Sequence, residues 1–146
     1  MDSICGHFYV TPTDSARTDA RKWFPRIRDY YELRKQALKL RWWPTGPVGQ
    51  HGQVEDLHWK PVKGAGQNPK IHELIIDDVI GTHDNIRVYF MVAPRPLDGD
   101  PMVDGKILRR IWVLRTMQKK TQKLSNNDLS ILRGRAKIIL KRHYGS

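Results

Sequence analysis

Residues 86–92 read Ile-Arg-Val-Tyr-Phe-Met-Val, and the fold turns on this stretch. Ile86, Val88, Phe90 and Val92 alternate with Arg87, Tyr89 and Met91, the period-two pattern of a strand with one face on a core. Successive side chains of a strand point to opposite faces, so Arg87 and Tyr89 share one. Upstream, residues 71–77 (IHELIID) give a second strand, and downstream residues 107–114 (ILRRIWVL) give a third. Residues 54–62 (VEDLHWKPV) add a shorter one, limited by Pro61, which has no N–H for a ladder. Residues 7–10 are a short candidate for an edge strand. The connection over residues 93–105 carries three prolines and Asp-Gly turn signals, and is read as a polar, mobile loop.

Helices flank this strand block. Residues 15–41 are read as two helices, with Pro25 as the first residue of the second, where its missing N–H has no helical partner to lose. Ile27, Tyr30, Tyr31, Leu33, Leu38 and Leu40 supply a buried stripe. The Gly- and Pro-rich run over residues 42–53 (WWPTGPVGQHGQ) is loop composition, and Trp42 and Trp43 are read as a core lid in preference to base-stacking rings. Ser125 followed three residues later by Asp128 has the capping-box spacing and opens a last helix over residues 126–142. In that helix Leu129, Leu132, Ala136, Ile139 and Leu140 recur at helical spacing and should pack on the sheet. The expectation is a single α+β domain spanning 1–146. It has an antiparallel β-sheet of about four strands, two N-terminal helices and a basic C-terminal helix.

Charge narrows the function. The chain has 26 Lys plus Arg against 15 Asp plus Glu, a net +11 with pI near 10.0. From residue 106 onward there are twelve basic residues and one acidic, Asp128, so the whole excess lies in the last third. A solvated face normally mixes signs, so a one-signed run points to a polyanion partner. Within it Arg133, Lys137 and Lys141 form a like-charged column at i, i+4, i+8, whose mutual repulsion an anionic ligand would relieve.

Other chemistries lack their motifs. The single Cys5 permits no disulfide within the chain and no thiolate cluster, and the six histidines form no metal-binding pair. GxxxxGK[ST] and GxSxG are absent, which removes the usual signals for ATP chemistry and serine hydrolysis. No apolar run approaches the roughly 20 residues of a membrane span, and MDSICGHFYV does not read as a signal peptide, so a cytoplasmic protein without metal or cofactor is expected.

The stretch IWVLRTMQKKTQKLSNNDLSILRGRAKIILKRHY, a strand followed by a Lys-Lys-Thr-Gln-Lys run and a basic helix, resembles the RelE/HigB-like (phage-derived) toxins of type II toxin-antitoxin systems. HELIIDD followed by NIRVYFMV resembles that family's paired central strands. The resemblance covers about the last half of the chain. It implies an antiparallel sheet with helices mainly on one side, cleavage of mRNA on the ribosome without metal, and a cognate antitoxin as resting partner. Carried over by position, Arg87 matches the family's strand arginine, and Lys119 and Lys120 match its lysine pair. Ile75 stands where an arginine is usual and Arg115 where a histidine is frequent.

RNA itself supplies the chemistry, since its 2′-hydroxyl attacks the adjacent phosphate once a base takes its proton and cations hold the developing charge. The expected catalytic set is Arg87, Lys119 and Lys120 on the phosphate, with His143 or Tyr144 in proton transfer. Arg109, Arg110, Arg115, Lys123, Arg133, Lys137 and Lys141 form the expected RNA-binding set. The rival expectations are a non-catalytic RNA- or DNA-binding module that only grips phosphates, or an inactive toxin relative acting as a regulator. In either case Arg87 could serve as a salt-bridge partner for Glu73 on the neighbouring strand.

Overall fold

The computed structural model describes residues 6–77, 85–119 and 123–145. Along the chain run β1 (Phe8–Pro12), α1 (Asp14–Trp23), α2 (Ile27–Leu38) and a 3-10 turn (Lys39–Trp42). They are followed by β2 (Trp59–Pro61), β3 (Ile71–Ile76), β4 (Ile86–Val92), β5 (Met102–Val103), β6 (Lys106–Ile107), β7 (Arg109–Gln118) and α3 (Asn126–Tyr144). The fold is α+β. Its main sheet has five strands in the order β1-β7-β4-β3-β2. All neighbours are antiparallel except β1, which pairs parallel to β7 at one edge, so the sheet is mixed rather than wholly antiparallel.

The IRVYFMV stretch is the central strand, β4, and both its faces are covered. Ile86, Val88 and Phe90 join Leu74, Ile111 and Val113 under α1 and α2. Tyr89 and Met91 join Ile71, Trp112 and Leu114 under α3, which contributes Leu132, Ala136 and Ile139. The helices therefore lie on both faces, not mainly on one as the resemblance implied. Alternation alone presents Tyr89 and Met91 as the open face; the apolar stripe of α3 is what buries them.

α1 starts where Thr13 accepts a hydrogen bond from the Ala16 N–H, and it buries Ala16 and Ala20. Pro25 is not the first residue of α2: the helix begins at Ile27 with Arg26 as its cap, and Pro25 lies in the break after Phe24. Phe24 is 1% exposed and anchors that break in the core. Trp43 is a core lid as expected, its ring against Phe8, Trp59, His72 and Phe90 at 5.0–6.0 Å. At the other end of the chain the capping box of Ser125 and Asp128 is fully formed.

Two connections differ from expectation. The stretch read as a mobile loop contains the β5–β6 hairpin, turned at Asp104 and Gly105, both with positive φ as a tight two-residue turn requires. Strand β7 runs on to Gln118, and its ladder with β4 shifts between Tyr89 and Phe90, whose partners are Arg115 and Val113. Leu114 is the extra residue of a β-bulge. Ile111 and Val113 face α1 and α2 while Trp112 and Leu114 face α3. Beyond the bulge Arg115 and Met117, opposite Tyr89 and Arg87, face α3.

Candidate functional site

The α3 side of the sheet carries most of the chemistry-bearing residues, in two groups at opposite ends. At the first end Arg87 and Tyr89 point to the same face, as their spacing requires. Register sets Tyr89 against Glu73 on one side and Arg115 on the other. The Glu73 side chain is only 3% exposed, and Lys60 Nζ lies 3.4 Å from its carboxylate. Arg87 does not pair with Glu73; its Nη1 donates to the Ile86 carbonyl at 3.0 Å and lies 3.7 Å from Asp77. The Arg87 Nε and the Tyr89 hydroxyl are both enclosed, without a hydrogen-bond partner among the described residues. Burial first, then the Glu73 charge, pushes the Tyr89 phenol far above the ordinary tyrosine range, so it keeps its proton.

Arg115 Nη1 donates to Asp128 at 3.0 Å, and this pair joins β7 to the first turn of α3. Burial raises the Asp128 carboxyl, but hydrogen bonds from Ser125 and Arg115 outweigh it and hold the group below the usual carboxylate range. Lys119 directly follows β7, buried, with its N–H on the Asn85 carbonyl at 2.7 Å. Lys120 lies outside the described residues.

At the second end, the last turn of α3 covers Trp112. Tyr144 accepts a hydrogen bond from Trp112 Nε1 at 3.0 Å, and the His143 ring stacks on the indole at 5.0 Å and 26°. Burial raises the Tyr144 phenol too. Arg110 lies 5.1 Å from the Trp112 ring and 5.7 Å from the Tyr9 ring, held by the fully buried Asp100 at 2.7 Å. Arg95 lies over Tyr144 at 5.6 Å, while Arg109, on the opposite face of β7 with Ile111 and Val113, lies over Phe8 at 5.7 Å. The structure thus separates groups that the expected catalytic set joined. Arg87 faces Met117, five residues along β7 from Trp112, which at about 3.3 Å per residue puts roughly 15 Å between the ends. His143 and Tyr144 do not meet Arg87 and Lys119. The carboxylate nearest Arg87 is Asp77, at 3.7 Å, and the buried Glu73 lies one register position away, opposite Tyr89.

The basic set sorts by partner. Arg110, Arg115 and Arg87 are held by Asp100, Asp128 and Asp77, and Arg135 binds Asp19 at 2.6 Å together with the Leu114 carbonyl at 2.9 Å. Arg133 reaches the Gly64 carbonyl at 2.6 Å. Lys123 is exposed but has a contact of its own. Lys137, Lys141 and Arg142 are exposed on α3 with no ion pair among the described residues. A second basic surface, hidden by counting charge in blocks, is on α1 and α2, where Arg17, Arg21, Arg34 and Lys35 are exposed.

Fold and site together define an α+β protein with a cation-lined, aromatic-edged helix face. Comparison of the chain with protein families, characterised proteins and solved structures found no match. Among the described residues no helix is long and apolar enough to cross a membrane, and no three His, Cys, Asp or Glu side chains are grouped to hold a metal ion.

Proposed function

We propose that this protein binds single-stranded RNA along the α3 side of its sheet. The observation that carries the reading is the set of exposed cations Lys137, Lys141 and Arg142 in the last two turns of α3, together with the exposed His143 ring stacked on Trp112 in its last turn. Lysines along a helix track phosphates, and an exposed ring near them offers a face on which a base stacks, worth about 1–3 kcal/mol per base. The partnered arginines keep the scaffold fixed instead of gripping the ligand. The test is anisotropy of a labelled ten-nucleotide RNA across a KCl series. Lys137→Ala/Lys141→Ala should weaken binding and lower the salt slope by about 1.4, from two lost phosphate contacts at about 0.7 each. His143→Ala should weaken binding at unchanged slope. An unaltered slope in the double variant would sink the reading.

A second reading is favoured by the placement of Glu73. A RelE/HigB-like toxin would cut the bound message, with Arg87 and Arg115 on the phosphate and the Glu73 carboxylate taking the 2′-hydroxyl proton. Its partners are then mRNA, the ribosome and an acidic antitoxin, in the cytoplasm, and it needs no metal. The proton-holding phenol of Tyr89 and the distance of His143 from Arg87 speak for binding first. In vitro translation of a defined message, with 5′ ends mapped by primer extension in EDTA beside a ribosome-integrity control, separates the two. New ends with wild type that vanish with Arg87→Ala and Glu73→Gln support the nuclease. RNA binding without new ends removes it.

A further inference from the structure

The α1 and α2 side of the molecule contains a cavity of about 800 Å³ that the RNA reading does not use. It runs the whole length of β1, from Phe8 to Pro12, with Ala16, Ala20 and Leu33 as its floor and Arg17, Arg21 and Arg34 on its rim. No Asp or Glu lines it. The three rim arginines are exposed and pair with no carboxylate among the described residues.

β1 is an edge strand, hydrogen-bonded on one side only, to β7. Thr13 N–H donates to the Val113 carbonyl. In a parallel ladder alternate residues bond to the same neighbour, so Tyr9 and Thr11 turn toward β7 and Phe8 and Val10 turn outward. The outward N–H and C=O groups of Phe8 and Val10 therefore border the cavity. Gly6 and His7 close one end of the edge, where the His7 N–H binds the Arg41 carbonyl at 2.7 Å. Pro12 closes the other, having no N–H to offer.

We infer that this groove takes an extended, acidic segment of a partner protein, which adds to the sheet as a strand beside β1. The inference is independent of the RNA reading. Backbone groups of Phe8 and Val10 supply the ladder, the alanine and leucine floor takes apolar side chains, and the arginines take carboxylates. An RNA strand would satisfy the arginines but has no alternating N–H and C=O groups for the strand edge, nor small apolar side chains for the floor.

The test uses a fluorescein-labelled ten-residue peptide alternating Val with Glu, and a matched peptide alternating Val with Lys, both titrated with the full chain. The Val/Glu peptide should bind, and Arg17→Ala/Arg21→Ala/Arg34→Ala should weaken it at least tenfold, while the Val/Lys peptide should not bind. Amide hydrogen exchange on the wild-type protein gives a readout independent of the variant's folding. The Val10 N–H should slow on adding the Val/Glu peptide, with Tyr9 and Thr11, already bonded to β7, unchanged. Equal binding of both peptides, no slowing at Val10, or a triple variant that loses RNA in place of peptide would overturn the inference.

Discussion

His72 sits between Trp43, Trp59 and Phe90, with ring centroids 5.1–5.4 Å away and Nδ1 enclosed without a partner among the described residues. Burial, and then the nearby Lys70 charge, lowers its pKa, so the folded protein holds it neutral. The unfolded chain takes up the proton first, at about 6.5, so the stability this neutral ring contributes is present above that pH and is lost as pH falls. Urea unfolding between pH 7.5 and 5 should show the decline in wild type and not in His72→Phe; a slope that survives the substitution assigns the titration elsewhere. Asp128 works in the acid range, since its lowered pKa makes its stabilisation complete above the ordinary carboxylate value. Asp128→Asn should cost about 1 kcal/mol at pH 7, the usual worth of a helix cap, a difference that starts to shrink as pH falls past the ordinary carboxylate value of about 4 and closes only below the lowered pKa of Asp128. Tyr89→Phe removes a hydroxyl that has no hydrogen-bond partner among the described residues. Its unfolding midpoint should stay close to wild type, because relief of desolvation offsets the loss of the hydroxyl's interaction with the Glu73 carboxylate.

Single elements were legible where local signals agree, and illegible where long-range partners decide. β4 and α3 announce themselves, one by strict alternation and the other by a capping box ahead of a helical stripe. The β5–β6 hairpin was hidden by prolines that read as loop, although Asp104-Gly105 is itself a tight-turn signal. Pro25 was misplaced because a proline fits equally at the first helical position or just outside it, and only the burial of Phe24 selects the latter. No local pattern could reveal that β1 lies parallel to β7, since their pairing joins residues about a hundred positions apart. The apolar stripe of α3 is the element's hold on the sheet: Leu132 is fully buried, and Leu132→Ala should cost 2–5 kcal/mol in chemical denaturation, by lost transfer energy and the cavity left behind.

Over the whole molecule, the sequence revealed the cations but not their partners. Asp19, Asp77, Asp100 and Asp128 come from four separate segments, and each takes an arginine, Arg110, Arg115 and Arg135 among them from the basic last third. The Arg135–Asp19 pair reaches across from α3 to α1 and ties the two helical layers past the end of β1. Arg135→Ala also strips the Leu114 carbonyl of its donor, and should lower the unfolding free energy by about 1–3 kcal/mol, read from a urea midpoint at unchanged slope. That carbonyl belongs to the β7 bulge, which acts as a keyed joint. A uniform ladder looks the same after a two-residue slide, so strands of even alternation have a near-degenerate neighbour to slip into. Because β7 changes frame at Leu114, every slide of β7 past β4 puts some side chains on the wrong side, Arg115 into the α1 and α2 core among them. One supernumerary residue thereby fixes the spacing of Arg87 and Arg115, and with it which carboxylates, Asp77 and Asp128, each of them reaches.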